Sequence, residues 1–393
     1  MIVHAYYEED PRVRREAESL VARGWPVEVF ALRRPEDPSE GIVEGVRVHR
    51  LDVQRHQGAG LMTYLREYVT FLVRSCWAVT SAHRRQRFGL VEVHTLPDFL
   101  VFAGLPLRLM GVPLVIDLHE AMPEFFRMRF PKASNSVVQR LLVLQERLSI
   151  AVASAAITVN DALAARLVEL GVAPEKITVL LNTPSLVRFD PALHLARAFA
   201  ADGTVRLVYA GALTPTYELA VAVDAVARLA TIKPDVAICL DVYGRGDSEA
   251  ALRAQVADLG LEERVRFHGR IPIEAVPAAI AAADIGIAPT RRDPFTDFSL
   301  STKIFEYGAM GKPVVASRLP LVERTFPSGA VCTYEPGDAD SLALAIAALH
   351  DSPVMRDTAV AATTARIREL SWEHAADRLV ALVQRLAPDR LSS

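Results

Sequence analysis

Segments with a strand pattern alternate with segments with a helical pattern along most of this chain. The strand-like segments are MIVHAY, PVEVFAL, LVEVHT, VPLVIDLH and AAITVN in the first half, and VRLVYAG, VAICLDVYG, IGIAPT and PVVAS in the second. Helical patterns such as PRVRREAESLVARG and ELAVAVDAVARLA lie between them. Apolar strands joined by helices predict parallel sheets that are covered by helices on both faces. The sequence therefore predicts an α/β fold with doubly wound, Rossmann-like sheets.

The alternation stops at Thr183 and starts again after Gly203. The residues between them contain prolines and no strand pattern, which is typical of a linker. A chain of 393 residues is long enough for two domains with separate cores. We therefore predict two Rossmann-like domains, over residues 1–190 and 204–370, that face a cleft. The amphipathic pattern SWEHAADRLVALVQRLA within residues 371–393 predicts a helix that packs across the domain junction.

Composition and charge argue against several classes of protein. The formal net charge is −3, so the chain as a whole does not attract nucleic acid, and no nucleic-acid partner is expected. The three cysteines include no C-x-x-C pair, which argues against a disulfide framework and a zinc ribbon and favours a reducing compartment. The N-terminal MIVHAYYEED lacks a signal-peptide pattern, and no apolar run reaches the roughly 20 residues of a membrane-spanning helix. We expect a cytoplasmic protein.

The turn after the first strand contains Asp10, Arg12 and Arg15 and has no G-x-G-x-x-G pattern. The missing glycines argue against a nicotinamide-dependent dehydrogenase. Two interpretations of the charged residues remain open, a solvated first helical turn and contacts with a ligand in the cleft.

Polar residues also cluster after the apolar strand VPLVIDLH. His119 and Glu120 lie at its carboxyl end, and Asp117 and Glu124 are close in sequence. Open α/β sheets bind their ligands at this end of the strands. A purely structural histidine is the alternative, but the cluster favours a hydrogen bond to a sugar hydroxyl or acid/base chemistry near neutral pH.

Glycines end two strands in the second half of the chain. Gly211 and Thr214 follow VRLVYA, and Gly244 and Gly246 follow ICLDVY. Glycine allows the backbone to approach a ligand closely, and the amides at the start of a following helix can bind an anion. Ordinary loop closure is the alternative at both places.

The segment SLSTKIFEYGAMGKPVVAS, residues 299–317, contains two of the five lysines of the chain. If a helix begins at the STK triplet, Lys303 lies in its first turn beside unpaired backbone amides, a position that suits a phosphate. Glu306 shares the same helical face, and an ion pair at the surface is the alternative interpretation. Lys312 reads as a residue of the turn before the next strand.

These motifs resemble those of family 4 glycosyltransferases, which have the GT-B fold. The resemblance lies in L-x-T-K-x-x-E-Y-x-A-x-G-K-P-V-V-A-S with the EPGDADSLA that follows, in PRVRREAESLVARG, in DLHEAMPE and in YAGALTP, and it covers nearly the whole chain. It implies that residues 1–190 bind the acceptor and residues 204–370 bind a nucleotide-sugar donor. It also implies sugar transfer with retention of anomeric configuration, no required metal and no cofactor besides the donor substrate. Synthesis of a cell-surface polysaccharide or glycolipid is the expected context.

The resemblance implies roles for individual residues. Lys303 would lie beside the diphosphate and stabilise the leaving nucleotide, Glu306 would bind the ribose, and His119 would face the sugar. The other residues expected at the donor are Gly211, Thr214, Gly244, Arg270 and Ile271, the last two beside the base. The residues expected at the sugar or the acceptor are Asp10, Arg12, Glu120, Asp297 and Phe298.

The chain departs from the family pattern at several positions. Phe298 stands where a first glutamate is expected, and Asp297 is a displaced substitute. Ala212 and Tyr217 stand where many members carry arginine and lysine, and Ser301 stands where relatives often have proline. These departures leave the donor sugar open. They also keep two alternatives in view, a nucleotide-sugar 2-epimerase of the same architecture and a non-catalytic nucleotide-sugar-binding protein.

The sequence contains few indications of what the acceptor is. Residues 61–87 predict an apolar helix that carries aromatic side chains and ends in basic ones. A core helix is one interpretation. Aromatic residues and arginines together also suit an anionic lipid surface, so a peripheral contact with the inner face of a membrane is the other. Glycan, lipid-linked and small-molecule acceptors all remain open.

Overall fold

The structure is a computed structural model that describes residues 1–56, 60–195 and 197–388. The chain divides into two compact units, of which the first contains Met1–Asn182 and the C-terminal segment from His374, and the second contains Thr183–Glu373. The division falls at Thr183, the residue at which the alternation of strand and helix patterns stops. The packing of the C-terminal helix across a junction between domains stays a prediction.

The first unit contains parallel strands on which its candidate residues are placed. Its strands are β1 (Glu28–Leu32), β2 (Glu40–Val43), β3 (Val46–Leu51), β4 (Val91–His94), β5 (Leu114–Leu118), β6 (Ala155–Thr158) and β7 (Ile177–Val179). Strands β4, β5, β6 and β7 pair in that order and are parallel, while β3 pairs parallel with β1 and antiparallel with β2. The carboxyl ends of β4 and β5 therefore meet at one edge of the sheet.

The predicted first strand MIVHAY is shorter than the sequence pattern indicated. Only Ile2 forms bridges to both neighbours, with Phe30 of β1 on one side and Val93 of β4 on the other. The chain bends at His4 and then forms a 3-10 turn at Tyr7–Glu9, which ends the pairing. The segment nevertheless joins the two groups of strands through its backbone hydrogen bonds.

The hairpin formed by β2 and β3 was not predicted. Its turn consists of Glu44 and Gly45, which have positive φ values of 48° and 80°. Two positive φ angles are typical of a type I′ hairpin turn, for which Asn-Gly is the strong sequence signal. Glu-Gly is a weaker signal, and this explains why the hairpin was missed.

Helices cover the strands of the first unit. They are α1 (Pro11–Val21), α2 (Leu61–Arg85), α3 (Leu105–Leu109), α4 (Met122–Arg129), α5 (Ser136–Val152) and α6 (Asp161–Glu169). Between β4 and β5 the chain forms a 3-10 helix, Asp98–Gly104, and the short α3 in place of one continuous α-helix. Pro106 in the first turn of α3 has no N–H to donate, so it does not support one continuous α-helical ladder.

The second unit is a parallel sheet with the doubly wound order expected from the sequence. Its strands are β8 (Thr204–Ala210), β9 (Ala237–Tyr243), β10 (Val265–Gly269), β11 (Ile285–Ala288), β12 (Val314–Ser317) and β13 (Cys332–Tyr334). They pair in the order β10-β9-β8-β11-β12-β13. The strand order therefore reverses between β8 and β11, and ligands of such sheets bind at the carboxyl ends of the strands at this reversal.

The helices of the second unit pack on its buried strands. They are α7 (Leu219–Ile232), α8 (Glu249–Asp258), α9 (Val276–Ala281), α10 (Thr302–Ala309), α11 (Pro320–Thr325), α12 (Ala339–Asp351) and α13 (Pro353–Glu369), and α14 (Trp372–Leu386) follows. Leu207, Leu240 and Ile287 from three neighbouring strands are fully or almost fully buried in the core. In the described part of the chain no helix combines the length and the apolarity needed to cross a membrane.

Candidate functional site

Helix α10 begins where the sequence predicted a helix start. Its first residue is Thr302, and Ser301 is the N-cap residue, with an extended backbone and no capping hydrogen bond from its side chain. The amides of the first turn therefore lack the usual side-chain partner. Because α10 follows β11, its N-terminus lies at the carboxyl edge of the sheet. An anion at this place would meet the positive end of the helix.

Lys303, in the first turn of α10, is buried and has only 5% of its surface exposed. Its Nζ lies 3.6 Å from the centre of the Tyr217 ring and 5.1 Å from the centre of the Tyr209 ring. In the described part of the chain no carboxylate lies within the 4.0 Å of an ion pair with it. Aromatic faces stabilise a desolvated ammonium group by about 2 kcal/mol, but they do not neutralise its charge. The position suits an anionic ligand.

The glycines at the strand ends are required by close packing of the backbone. A Cβ atom on Gly244 would lie 1.8 Å from the carbonyl oxygen of Gly211, and one on Gly246 would lie 2.3 Å from that of Leu213. A Cβ atom on Gly211 would lie 2.4 Å from Cε of Lys303. Loop closure therefore explains Gly244 and Gly246. At position 211, any side chain would occupy space that the Lys303 side chain now fills.

The other residues expected at the donor belong to different elements of the second unit. The carbonyl oxygen of Thr214 accepts a hydrogen bond of 3.0 Å from the Tyr217 amide, so this turn positions the ring beneath Lys303. Glu306 lies one turn further along α10 and is half-buried. Arg270 and Ile271 follow β10, which is separated from β8 by β9. Their contacts with a nucleotide stay a prediction.

The residues at the expected glutamate position lie in a short 3-10 turn, Thr296–Phe298, before α10. Asp297 Oδ1 lies 3.4 Å from Nε of Arg292, so the displaced acid has a basic partner in its own loop. Phe298 is half-buried. A role of either residue at the sugar stays a prediction.

Asp10 and Arg12 form the N-terminal turn of α1. Asp10 Oδ1 accepts a hydrogen bond of 3.1 Å from the Arg12 amide, and Oδ2 forms an ion pair of 2.9 Å with Nη2 of Arg12. Burial alone would raise the pKa of Asp10, but the Arg12 guanidinium holds it well below its usual range. Burial raises the pKa of Glu120, and Arg12 opposes this shift. The structure thus assigns Asp10 a capping role, and contacts with a ligand stay a prediction.

His119 lies in a buried polar cluster at the carboxyl ends of β4 and β5. Oδ2 of Asp117 is 3.0 Å from His119 Nε2 and 2.9 Å from His94 Nδ1. Burial lowers the pKa of His119, although Asp117 opposes this shift. Burial alone would raise the pKa of Asp117, but His119 and His94 hold it well below its usual range. The sequence identified His119 and Asp117, and it missed His94, whose only signal was its place at a strand end.

Two further carboxyl groups lie behind this cluster. Glu16 of α1 and Glu92 of β4 are 5% and 2% exposed and form a hydrogen bond with each other. Burial raises the pKa of Glu16 well above its usual range, and it also raises the pKa of Glu92. These residues were not identified from the sequence, because nothing local marks a glutamate on α1 as a neighbour of one on β4.

The donor atoms of this cluster are close enough together to hold a metal ion. Within each of two overlapping sets they lie within 4.8 Å of one another, namely His94, Asp117 and His119, and Glu16, Glu92, His94 and Asp117. Hydrogen bonds among the same atoms account for the spacing as well. The expectation that the reaction requires no metal stays a prediction.

Two family models match the chain. The model of the glycosyl transferase 4-like domain matches residues 10–183, and that of glycosyl transferases group 1 matches residues 204–352. The first match lies almost entirely within the first unit and the second lies within the second unit. The gap between the matches coincides with the stretch that reads as a linker in the sequence.

Named relatives are similar over different parts of the chain. A phosphatidyl-myo-inositol mannosyltransferase from Mycobacterium leprae is 34% identical over 160 residues, which are 39% of this chain and 41% of that protein. A D-inositol 3-phosphate glycosyltransferase from Pseudarthrobacter chlorophenolicus is 26% identical over 382 residues, 93% of this chain and 87% of the relative. The similarity to the second relative therefore spans both units.

The solved structure of Anabaena HepE in complex with UDP and glucose has a TM-score of 0.72 to this chain. The two are 16% identical, and the match covers 98% of each chain. Similarity at this level of identity shows the fold alone. The fold is GT-B, with two Rossmann-like domains.

Proposed function

This chain belongs to the group 1 glycosyltransferases with a family 4-like N-terminal domain, and we propose on that premise that it transfers a sugar from a nucleotide-sugar donor with retention of anomeric configuration. The observation that carries the proposal is the buried ammonium group of Lys303 at the N-terminus of α10. An acidic ion-pair partner is absent from the described residues around it. The diphosphate of a donor would provide the missing negative charge.

Each candidate residue has a separate role in the proposed reaction. As the bond to the sugar breaks, negative charge develops on the leaving diphosphate, and a preorganised cation in a water-poor site stabilises it best. Lys303 and the first amides of α10 supply this stabilisation, so the proposal does not require a metal ion. Glu306, one turn further along α10, binds the ribose hydroxyls, Arg270 and Ile271 flank the base, and His119 binds the sugar.

Thermal shifts with nucleotide sugars test the donor site. A donor that binds only the folded protein stabilises it by RT ln(1 + [L]/Kd), about 2.7 kcal/mol at a hundredfold excess over Kd. We expect at least one uridine or guanosine diphosphate sugar to raise the melting temperature of the parent, and to raise it much less in Lys303→Ala and Glu306→Ala. Equal shifts in the parent and both variants would contradict the site.

Product analysis then separates transfer from its alternatives. With a bound donor and an acceptor, a transferase releases the nucleoside diphosphate and a glycosylated product of unchanged anomeric configuration. Epimerised sugar released without an acceptor would favour the 2-epimerase. Binding without turnover of any donor would favour the non-catalytic binding protein.

We also propose that α2 brings the protein to an anionic membrane surface, on the cytoplasmic side, where a lipid-linked acceptor would be reached. Its outward face carries apolar side chains about four residues apart, which places them on one side of the helix. They are Leu61, Met62, Leu65, Val69, Val73 and Trp77, and their exposure ranges from 37% to 74%. Exposed arginines flank them, and Glu67, the one acidic residue of α2, is buried.

Helix α5 has a second face of the same kind. Its residues Val137, Leu141, Leu144 and Leu148 are each more than half exposed. Arg140 and Arg147 are exposed on the same helix, and its one acidic residue, Glu146, is buried in an ion pair with Arg166. Both α2 and α5 pack against the 3-10 helix Asp98–Gly104. Two neighbouring helices with apolar and basic but no acidic surface residues favour an anionic bilayer over a protein partner.

Vesicle flotation tests the membrane contact. Each arginine near an anionic surface contributes about 1 kcal/mol, so changing Arg84, Arg85 and Arg87 to glutamine should lower binding to anionic vesicles by about a hundredfold. A second variant, with Met62, Val73 and Trp77 changed to serine, should also lose binding.

The matched control changes Leu344 and Val354 to serine, because these are similarly exposed on the second unit. It should bind like the parent. Unchanged flotation of the α2 variants, or an equal loss in the control, would contradict the membrane contact.

A further inference from the structure

One oxygen of Asp117 is the common hydrogen-bond acceptor of two histidines. Its Oδ2 lies 2.9 Å from His94 Nδ1 and 3.0 Å from His119 Nε2. An ionised carboxylate can only accept hydrogen bonds, so both nitrogens must carry hydrogens. If Nε2 of His119 were bare, two lone pairs would face each other across 3.0 Å. The 3.3 Å between the two nitrogens is therefore a contact between neighbouring donors.

The hydrogen on Nε2 determines what the other side of the His119 ring can do. A neutral imidazole carries one hydrogen, so Nδ1 is a bare acceptor. Nδ1 is buried and has no hydrogen-bond partner in the described part of the chain. A buried acceptor without a partner destabilises the site, because it has lost its hydrogen bonds to water and gained none in exchange. A ligand that donates a hydrogen bond to Nδ1 would recover this free energy.

We propose that His94 and Asp117 are positioning residues that hold His119 as the Nε2–H tautomer, so that its Nδ1 accepts a hydrogen bond from a hydroxyl group of the sugar. This inference rests on the proposed function for the identity of the ligand as a sugar. It adds a requirement on the ligand, since the group at Nδ1 has to donate. A sugar with fluorine in place of that hydroxyl cannot do so.

Neighbouring residues fix the position of His119 and favour the ionised form of Asp117. The backbone amide of His119 donates a hydrogen bond of 3.3 Å to Oγ1 of Thr95, which fixes the residue next to β4. Glu16 and Glu92 share a hydrogen bond, and this requires that one of them be protonated. Burial raises the pKa of Glu16 and of Glu92, so one shared proton on this pair is favoured over two charged carboxylates. Asp117 then remains the carboxylate to which both histidines donate.

The tautomer can be measured directly by nitrogen NMR of the full chain with ¹⁵N-labelled histidine. Protonated and bare imidazole nitrogens have clearly different ¹⁵N chemical shifts. The signals that disappear in a His119→Phe variant belong to His119. We expect a protonated Nε2 and a bare Nδ1 at neutral pH. In Asp117→Asn the side-chain amide can donate to Nε2, so the Nδ1–H tautomer should become populated.

A protonated Nδ1 or an imidazolium in the parent would overturn the inference, and so would a spectrum of Asp117→Asn identical to that of the parent. Metal analysis of the same sample is a further check. A stoichiometric zinc ion would overturn it as well, because the metal would replace the two hydrogens. The parent spectrum decides the tautomer even if Asp117→Asn does not fold.

Kinetics separate this inference from the proposed function. In Asp117→Asn we expect kcat to fall by about a hundredfold, because the sugar loses an oriented partner. The thermal shift caused by a nucleoside diphosphate should not change, since Asp117 and Lys303 belong to different units. An unchanged kcat would contradict the inference. If the parent transfers no sugar, the proposed function fails, while the NMR result still decides the tautomer.

Discussion

Replacing Lys303 with methionine is expected to lower kcat for sugar transfer by a factor of about 100 to 1,000, the usual cost of removing one preorganised charge from a developing anion. The same change should leave the melting temperature equal or higher. In the parent, the ammonium group is buried over the rings of Tyr217 and Tyr209, and no carboxylate pairs with it in the described part of the chain. Methionine has a similar length, packs well on aromatic rings and carries no buried charge. Steady-state kinetics and thermal unfolding of the same sample measure both effects.

Lys312 provides the matched control, because it is the other lysine of the same segment. Its Nζ donates a hydrogen bond of 2.8 Å to the carbonyl oxygen of Ala281. This bond connects the end of α9 to the turn before β12. Lys312→Met should therefore lower the melting temperature, because a partly buried carbonyl loses its partner, and it should leave kcat within a factor of about three. If Lys303→Met keeps the kcat of the parent, or if both variants lose it equally, Lys303 does not stabilise the leaving group.

The second unit was predicted well because its signals are local. VRLVYAG, VAICLDVYG and IGIAPT are mainly apolar, as is typical of strands that are buried on both faces, and each contains a strand of the parallel sheet. The first unit was predicted less well at its N-terminus. MIVHAY has a strand pattern, but the bend at His4 limits its pairing to Ile2, and a bend of this kind depends on the turn that follows and not on hydrophobicity.

The candidate site shows the same division between local and long-range information. The start of α10 could be predicted because its signal lies within the STK triplet and the residues around it. The ring beneath Lys303 could not be predicted, because Tyr217 and Lys303 are far apart in sequence and no local pattern indicates that the two side chains pack together. The cluster of His94, Asp117 and His119 likewise combines two strands and the loop after them. Pairing of β4 with β5 brings them together, and sequence spacing does not contain that information.

Replacing Gly244 with alanine is expected to destabilise the second unit by more than about 4 kcal/mol, a loss that single substitutions rarely cause. Gly244 has a φ of +145°, and its Cβ atom would lie 1.8 Å from the carbonyl oxygen of Gly211. The clashing atom belongs to the backbone of Gly211, directly after β8, so it cannot move aside as the end of a side chain could. Urea unfolding of the full chain, followed by a signal from the second unit, measures the loss.

Two other glycines separate backbone strain from the clash and from function. Gly203 has a φ of +76° and no atom within 4 Å of the Cβ position, so Gly203→Ala should cost only the strain of positive φ, about 1 kcal/mol. In Gly211→Ala the new methyl group would meet the Lys303 side chain, which can move, so the fold should persist while nucleoside diphosphate binding weakens. We therefore expect Gly244→Ala to lose much more stability than Gly203→Ala or Gly211→Ala. Of the two milder variants, only Gly211→Ala should weaken binding of the nucleoside diphosphate. If Gly244→Ala is no less stable than Gly203→Ala, the close approach of Gly244 to the carbonyl oxygen of Gly211 is wrong. The position of Gly211 beside the Lys303 side chain would then be wrong as well.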